Sequence, residues 1–389
     1  MVIIISFHTF APQIIMTMNI GFDAKRIFYN QSGLGNYGRN IINTLQSVED
    51  EIILNLYSPI KNNPLIEYNN PKIHVINPSC WFYKNFGSLW RTFALSKKIM
   101  HDEIDIFHGL SNEIPHNIHK KSIKSIVTIH DLIFLRYPEL YKRIDRNIYN
   151  RKFKYACNAA TRIIAISEQT KQDIVDFYKI PADKIDVVYQ GCNPIFLRKI
   201  NNTEEIKKKY NLPSQYMLTV GTIEKRKNLL TILKAITSAN IDIPLVVVGK
   251  PTNYISQVEE FIQSSGLKKV HILNYLPLDE LPALYQGAML FLYPSIFEGF
   301  GIPVLEAISS GIPVISTNYG CFKEAGGEAS IYVDPENPDE MAEAILSIVN
   351  DENKQKDMID AGYKHAEKFR DEVIAKELMK VYKKALQND

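Results

Sequence analysis

Short apolar runs rich in β-branched and aromatic residues punctuate the chain, and each is followed by a polar turn and a stretch with helical spacing. In the first half they fall at 52–57, 104–108, 123–130, 162–167 and 184–189. In the second half they fall at 216–220, 245–249, 270–273, 289–293 and 313–316. Residues 18–23, Met-Asn-Ile-Gly-Phe-Asp, also read as a first strand. Strands that alternate with helices predict parallel sheets covered on both faces. Roughly ten strands, split evenly, predict an α/β chain of two doubly wound, Rossmann-like domains rather than one sheet.

The seam is expected within 191–209, where Gly191, Pro194 and the polar run Asn201-Asn-Thr-Glu-Glu205 precede a fresh strand, with the linker near 193–200. An N-terminal domain at 1–195 and a C-terminal domain at 196–370 follow. From Pro338 the pattern is helical, and the last helix, expected at 371–387, is amphipathic and Lys-rich. Residues 371–389 either close the second domain or return to the first. Residues 1–17 read as an extension, with Met18 as an alternative start.

Composition narrows the class. A chain of 389 residues, 46% hydrophobic and 23% charged, is not disordered, fibrous or a small disulfide scaffold. Cys80, Cys157, Cys192 and Cys321 form no Cys-x-x-Cys pair and read as thiols of a reducing cytosol. The opening residues lack the basic region of a signal peptide, and no stretch reaches the roughly 18 uninterrupted apolar residues of a membrane span. A cytoplasmic protein is expected. The formal charge of +2 is too near neutral for whole-surface nucleic-acid binding. It divides unevenly, with +6 through Ile195 and −4 beyond, so an anionic partner is expected on the first half.

The segment Phe291-Leu-Tyr-Pro-Ser-Ile-Phe-Glu-Gly-Phe-Gly-Ile-Pro-Val-Leu-Glu-Ala307 passes from a buried strand through a glycine-bearing turn into a helix. Pro303 suits the first helical position, because its missing N–H has no intrahelical partner there. The backbone amides of Gly299, Phe300 and Gly301 then lie near the positive helix end, a favourable place for a diphosphate. Glu298 precedes the turn and Glu306 lies about one helical turn beyond it. Carboxylates beside an anion would repel it unless each is occupied with hydroxyls. A ligand with a sugar at one end, a diphosphate in the middle and a ribose at the other satisfies every group. Taken singly, Glu298 reads equally as a turn residue and Glu306 as an exposed helix residue.

On this Glu-x7-Glu segment the chain resembles the retaining glycosyltransferases of the GT-B fold, group 1 or family 4, over nearly its whole length. The resemblance implies two Rossmann-like domains facing across a cleft. It implies that Glu298 holds hydroxyls of the donor sugar and Glu306 the nucleotide ribose. The run Gly221-Thr-Ile-Glu-Lys-Arg-Lys-Asn228 follows a strand and precedes a helix expected at 229–237. Fixed cations there would stabilise a leaving diphosphate: Arg226 offers a planar fork and Lys227 a point charge. The family's Arg-Lys pair looks like these two, with Lys227 on the diphosphate. Many members carry a further Arg where this chain has Thr222, so Arg226 either substitutes for it or braces the site. A solvated basic turn is the plain alternative.

Gly33-Leu-Gly-Asn-Tyr-Gly38 matches the dinucleotide fingerprint and raises the alternative of an NAD-dependent oxidoreductase. The first strand ends about ten residues earlier, however, whereas the fingerprint needs glycines in the tight turn itself. The glycines are expected to form a flexible loop before a helix at 37–45, with Gly33 and Gly35 similar to the family's loop beside the diphosphate and acceptor. His130 and Asp131 end an apolar strand at the edge where open α/β sheets bind ligands. The resemblance implies that His130 positions the transferred sugar, with Asp131 orienting it. Without the resemblance, a satisfied core histidine is the simpler reading.

There is no Asp-x-Asp triplet, so no metal and no other cofactor is expected. The expected partners are a nucleotide sugar, with GDP-mannose as first guess, and a glycan or lipid-linked acceptor in surface polysaccharide synthesis. A non-catalytic sugar-nucleotide or glycan-binding protein of the same architecture is a further alternative. Residues 136–154 hold seven basic and two acidic residues among four aromatics. Such a run can meet anionic lipid headgroups or a lipid diphosphate, and equally can be a solvated helix face.

Overall fold

In the computed structural model, which describes residues 17–48, 52–59, 64–121 and 123–387, the chain builds two parallel sheets. The first contains β1 (Met18–Asp23), β2 (Ile52–Tyr57), β3 (Ile73–Ile76), β4 (Ile106–Gly109), β5 (Lys124–Ile129), β6 (Arg162–Ala165) and β7 (Ile185–Val187), in the order β3-β2-β1-β4-β5-β6-β7. The second contains β8 (Met217–Val220), β9 (Leu245–Val248), β10 (Val270–Leu273), β11 (Leu290–Tyr293), β12 (Val314–Thr317) and β13 (Ile331–Val333), in the order β10-β9-β8-β11-β12-β13. Strands such as Leu-Val-Val-Val of β9 and Leu-Phe-Leu-Tyr of β11 are buried throughout, as helices on both faces require.

Strand order reverses between β1 and β4 in one sheet and between β8 and β11 in the other, which places a ligand crevice outside the carboxyl ends of these strands. The expected runs all form strands, but two more exist, so the sheets hold seven and six strands rather than an even split. β3 is an edge strand with His74 and Val75 exposed, and β13 is a three-residue edge. Neither has the fully apolar pattern of a central strand.

The last helix, Asp371–Gln387, lies against the helix Gly33–Val48 of the first domain. Ile374, Leu378, Val381 and Ala385 recur at helical spacing and are buried. Each larger one contributes roughly 1.5–3 kcal/mol by leaving water. Tyr382 on the same face meets His108 Nδ1 at 2.9 Å. All four cysteines are free. Among the described residues no helix is long and apolar enough to cross a membrane. The proposed extension at 1–17 lies, apart from Thr17, outside the described residues.

The loop expected at Gly33 and Gly35 is instead the first turn of the 16-residue helix Gly33–Val48. Gly35 is required there because a Cβ would meet the Asn30 carbonyl oxygen at 1.9 Å. A separate helix, Lys25–Tyr29, stands between β1 and these glycines, so the strand-turn-helix geometry of a dinucleotide site is absent.

Candidate functional site

At the carboxyl end of β11 the chain turns through 294–301 into the helix Ile302–Ser309. Gly301 caps that helix at φ +101°, a conformation that L side chains rarely adopt. Ile302 opens the helix and Pro303 is its second residue, one place later than the sequence suggests. Its missing N–H still costs nothing in the first turn. Phe300 is buried against the rings of Tyr189 and Phe369, each 5.6 Å away. This packing pins the backbone between the two glycines.

Glu298, Arg226 and Lys227 are brought together. Glu298 Oε1 accepts from Arg226 Nη1 at 2.6 Å and from the Lys227 ammonium. The Ser295 hydroxyl at 2.7 Å and the Tyr293 hydroxyl at 3.1 Å reach the same oxygen. Burial alone would raise the Glu298 carboxyl, but Lys227 and Arg226 outweigh it and hold the group down at about 2. Burial pulls Lys227 down against the opposing pull of Glu298. Arg226 is further fixed by donating to the Phe297 carbonyl and the Glu224 carboxylate, both at 2.6 Å. The cations come from the short turn Lys225–Lys227, which Gly221 admits at φ +145° and Asn228 closes in the left-handed region. Thr222 is exposed beside Gly221 and takes no part in this cluster.

Glu306 has the opposite environment. Burial raises its carboxyl to about 8, and the hydrogen bond from Tyr285 at 3.0 Å only partly offsets this.

His130, at the end of β5, is buried. Its Nε2 lies 2.8 Å from the Leu110 carbonyl, which can only accept, so the proton sits on Nε2. Burial lowers the ring to about 4, so it is neutral near pH 7 and Nδ1 carries a lone pair. Its backbone N–H donates to Asn112 Oδ1 at 2.8 Å, and the Tyr37 ring meets the imidazole edge-on at 4.6 Å. Behind Tyr37 a buried polar chain runs from its hydroxyl to Thr128 (3.2 Å), His108 (2.8 Å) and Tyr382 (2.9 Å). Asp131 does not orient His130: its carboxylate, raised mainly by burial, accepts from the Ile133 N–H at 3.1 Å.

The two domains meet at Gly299. A Cβ there would lie 2.0 Å from the His130 carbonyl oxygen, so only glycine allows the approach. The Gly299 carbonyl accepts from Ser167 Oγ at 2.6 Å and Thr170 Oγ1 at 3.3 Å. Glu324 of the second domain accepts the Glu168 and Gln169 N–H groups at 2.7 and 3.2 Å, where the first-domain helix Glu168–Tyr178 begins. Sequence reasoning missed Tyr37, Ser167, Thr170 and Glu324. A Ser-x-x-Thr before a helix signals only a cap, and Ser167 does accept from the Thr170 N–H. Gly33 and Gly35 enter the site only indirectly, by starting the helix that carries Tyr37.

Residues 202–365 match the family model described as glycosyl transferases group 1, and residues 32–195 match that of glycosyltransferase family 4. The O-antigen chain mannosyltransferase B of Escherichia coli is 29% identical over 287 residues, covering 72% of this chain and 74% of that protein. A glycosyltransferase from Rickettsia africae superposes with a TM-score of 0.70 at 19% identity, covering 96% of this chain and all of that one. The Anabaena protein HepE, solved in complex with UDP-glucose, superposes with a TM-score of 0.69 at 16% identity, covering 94% of this chain and all of that one.

Proposed function

The chain belongs to the group 1, family 4 retaining glycosyltransferases of the GT-B fold, and from that premise we propose that it transfers mannose from GDP-mannose to a glycan or lipid-linked saccharide in the cytoplasm during surface polysaccharide synthesis. The mannose assignment is supported by the relative named as an O-antigen mannosyltransferase.

The observation that carries the site reading is the cluster of Arg226, Lys227 and Glu298 directly beside the Gly299 contact with His130. All four polar contacts to the Glu298 carboxylate fall on Oε1, which leaves Oε2 to accept hydroxyls of the donor sugar. The lone pair on His130 Nδ1 accepts another hydroxyl of that sugar from the first-domain side. Lys227 and Arg226, with the amides of Gly299, Phe300 and Gly301, face the diphosphate. As the anomeric carbon–oxygen bond breaks, charge accumulates on the leaving phosphate, and cations already fixed in place stabilise it without reorganisation. Glu306 takes the ribose hydroxyls. Its raised carboxyl spares the diphosphate a second fixed negative charge.

The acceptor hydroxyl attacks on the face from which the phosphate departs. It gives its proton to the leaving phosphate oxygen, and the anomeric configuration is retained. The contacts at Gly299 exclude the water that would otherwise hydrolyse the donor. A thermal-shift panel of GDP-mannose, UDP-glucose and other nucleotide sugars tests the donor assignment. The largest stabilisation is expected with GDP-mannose, and a larger shift with a uridine donor would overturn it.

A further inference from the structure

Among the described residues, an unusual share of the exposed large hydrophobic side chains falls on two neighbouring helical segments of the first domain. The first runs almost continuously through the helices Trp81–Asn85, Gly87–Leu89, Trp90–Ala94 and Leu95–His101. Its Trp90, Leu95 and Ile99 are buried and form the ordinary inward face. Phe82, Phe86, Leu89, Phe93 and Met100 recur at intervals of three, four and seven residues, so they form a second apolar stripe. That stripe points outward: Phe86 is 50% exposed and Phe93 58%, and Trp81 at its head is 75% exposed. Burying such a stripe in the protein would have stabilised the fold, so an outward face of this size marks a contact surface.

The charge pattern identifies the partner. No acidic residue occurs between Glu67 and Asp102, while Lys84 and Lys97 on this segment are exposed. The second segment is the helix Arg143–Ala159, whose Ile144 (74% exposed), Ile148, Arg151 and Tyr155 lie in one stripe by helical spacing. A relay of rings joins the two: Phe93 meets His116 at 5.9 Å, and His116 stacks on Tyr155 at 5.1 Å. The His116 N–H also donates to the Thr92 carbonyl at 2.8 Å, and the Asn117 N–H to the Tyr155 hydroxyl at 2.6 Å. Of the basic run at 136–154, Arg136 is committed to Asp173 and the Phe297 ring and does not contribute.

We propose that these two segments form one face that docks on an anionic phospholipid bilayer, with Trp81, Phe86, Phe93 and Ile144 entering the interface and the surrounding lysines and arginines meeting headgroup phosphates. An aromatic and aliphatic stripe ringed by cations, with acidic residues absent from one whole segment, suits such a surface and repels a basic one. Arg91, on the same segment, pairs with Asp23 at the carboxyl end of β1, so the docked face adjoins the edge of the sheet that borders the cleft. The surface is independent of sugar transfer, and the two are read separately.

The test is co-sedimentation of the full chain with vesicles of phosphatidylcholine alone or mixed with phosphatidylglycerol. The wild type is expected to pellet with the anionic vesicles and not with the neutral ones. The double variant Phe86→Ser/Phe93→Ser is expected to lose at least about tenfold in binding, whereas Tyr275→Ser, an exposed aromatic of the second domain, binds as wild type. A nucleotide-sugar thermal shift that is unchanged in the double variant shows that its fold and donor site are intact. Absence of wild-type binding to anionic vesicles, or undiminished binding by a folded double variant, overturns the proposal. So does a self-associating wild type that the double variant makes monomeric while neither pellets.

Discussion

The hydroxyl of Ser167 in the first domain donates to the carbonyl of Gly299 in the second at 2.6 Å, one residue from Glu298. Thr170 reaches the same carbonyl at 3.3 Å. Closing the cleft therefore fixes the turn that carries Glu298. Each hydrogen bond is worth about 0.5–1.5 kcal/mol, so Ser167→Ala should lower kcat by about twofold to tenfold. Adding Thr170→Val should lower it further. Donor hydrolysis should rise relative to transfer in both, because a looser cleft admits water. An unchanged ratio of hydrolysis to transfer would contradict this role.

Gly299→Ala places a methyl group where the His130 carbonyl already lies. The backbone at Gly299 is not in the positive-φ region, so the substitution strains the approach of the domains rather than the turn itself. The expected outcome is a kcat reduced by about a hundredfold or more, since small misplacements at a reacting centre carry that scale. The thermal unfolding midpoint should change little. A midpoint that collapses would mean the contact is structural instead.

Tyr382→Phe removes the hydroxyl partner of His108 Nδ1 inside the first domain. A buried ring nitrogen left unsatisfied costs about 1–3 kcal/mol. Denaturant unfolding should show that loss, and donor affinity should be preserved. Stability equal to wild type would show that another group takes over from Tyr382.

Glu306 and the two buried histidines make opposite contributions to stability across pH. The Glu306 carboxyl stands at about 8 in the folded chain against 4.5 ordinarily. Between those values the folded state keeps a proton that the unfolded state has released, so stability falls as pH rises from 4.5 to 8. His130 and His108 are lowered by burial to about 4 and about 3 from 6.5, so each is neutral when folded. Their contribution is fully present above 6.5 and is lost as pH falls through the folded values. Melting temperatures across pH should show the decline between 4.5 and about 8 flattened in Glu306→Gln and the histidine-linked loss at lower pH retained. An identical slope between pH 4.5 and about 8 in the variant would rule out Glu306 as its source.

The central strands were legible in the sequence because parallel strands buried on both faces read as unbroken apolar runs, as in β9 and β11. The edge strands β3 and β13 were not, being short and half polar. Glu298, Arg226 and Lys227 were legible as candidates because each lies just beyond a strand end, where an open sheet binds ligands. Their mutual ion pairing was not, since it joins turns 71 residues apart. Gly33 and Gly35 misled, because glycine signals a loop locally while the close approach of Asn30 demands it within a helix. Tyr37, Ser167, Thr170 and Glu324 act through contacts distant in sequence, and the sequence around them shows only helix starts and core. The outward stripe of Phe82, Phe86 and Phe93 has the spacing of a core helix, and only its exposure reveals a surface.

The central claim is that Glu298 and Lys227 serve a retaining sugar transfer. Its most direct test is turnover of GDP-mannose and other nucleotide sugars with a saccharide acceptor panel by wild type, Glu298→Gln and Lys227→Met, with the product anomer read by proton NMR. The account predicts a product of retained configuration from the wild type. It also predicts losses of at least about a hundredfold in both variants, the scale of removing one fixed electrostatic stabiliser. Inverted product, or near-wild-type rates in both variants, would contradict it.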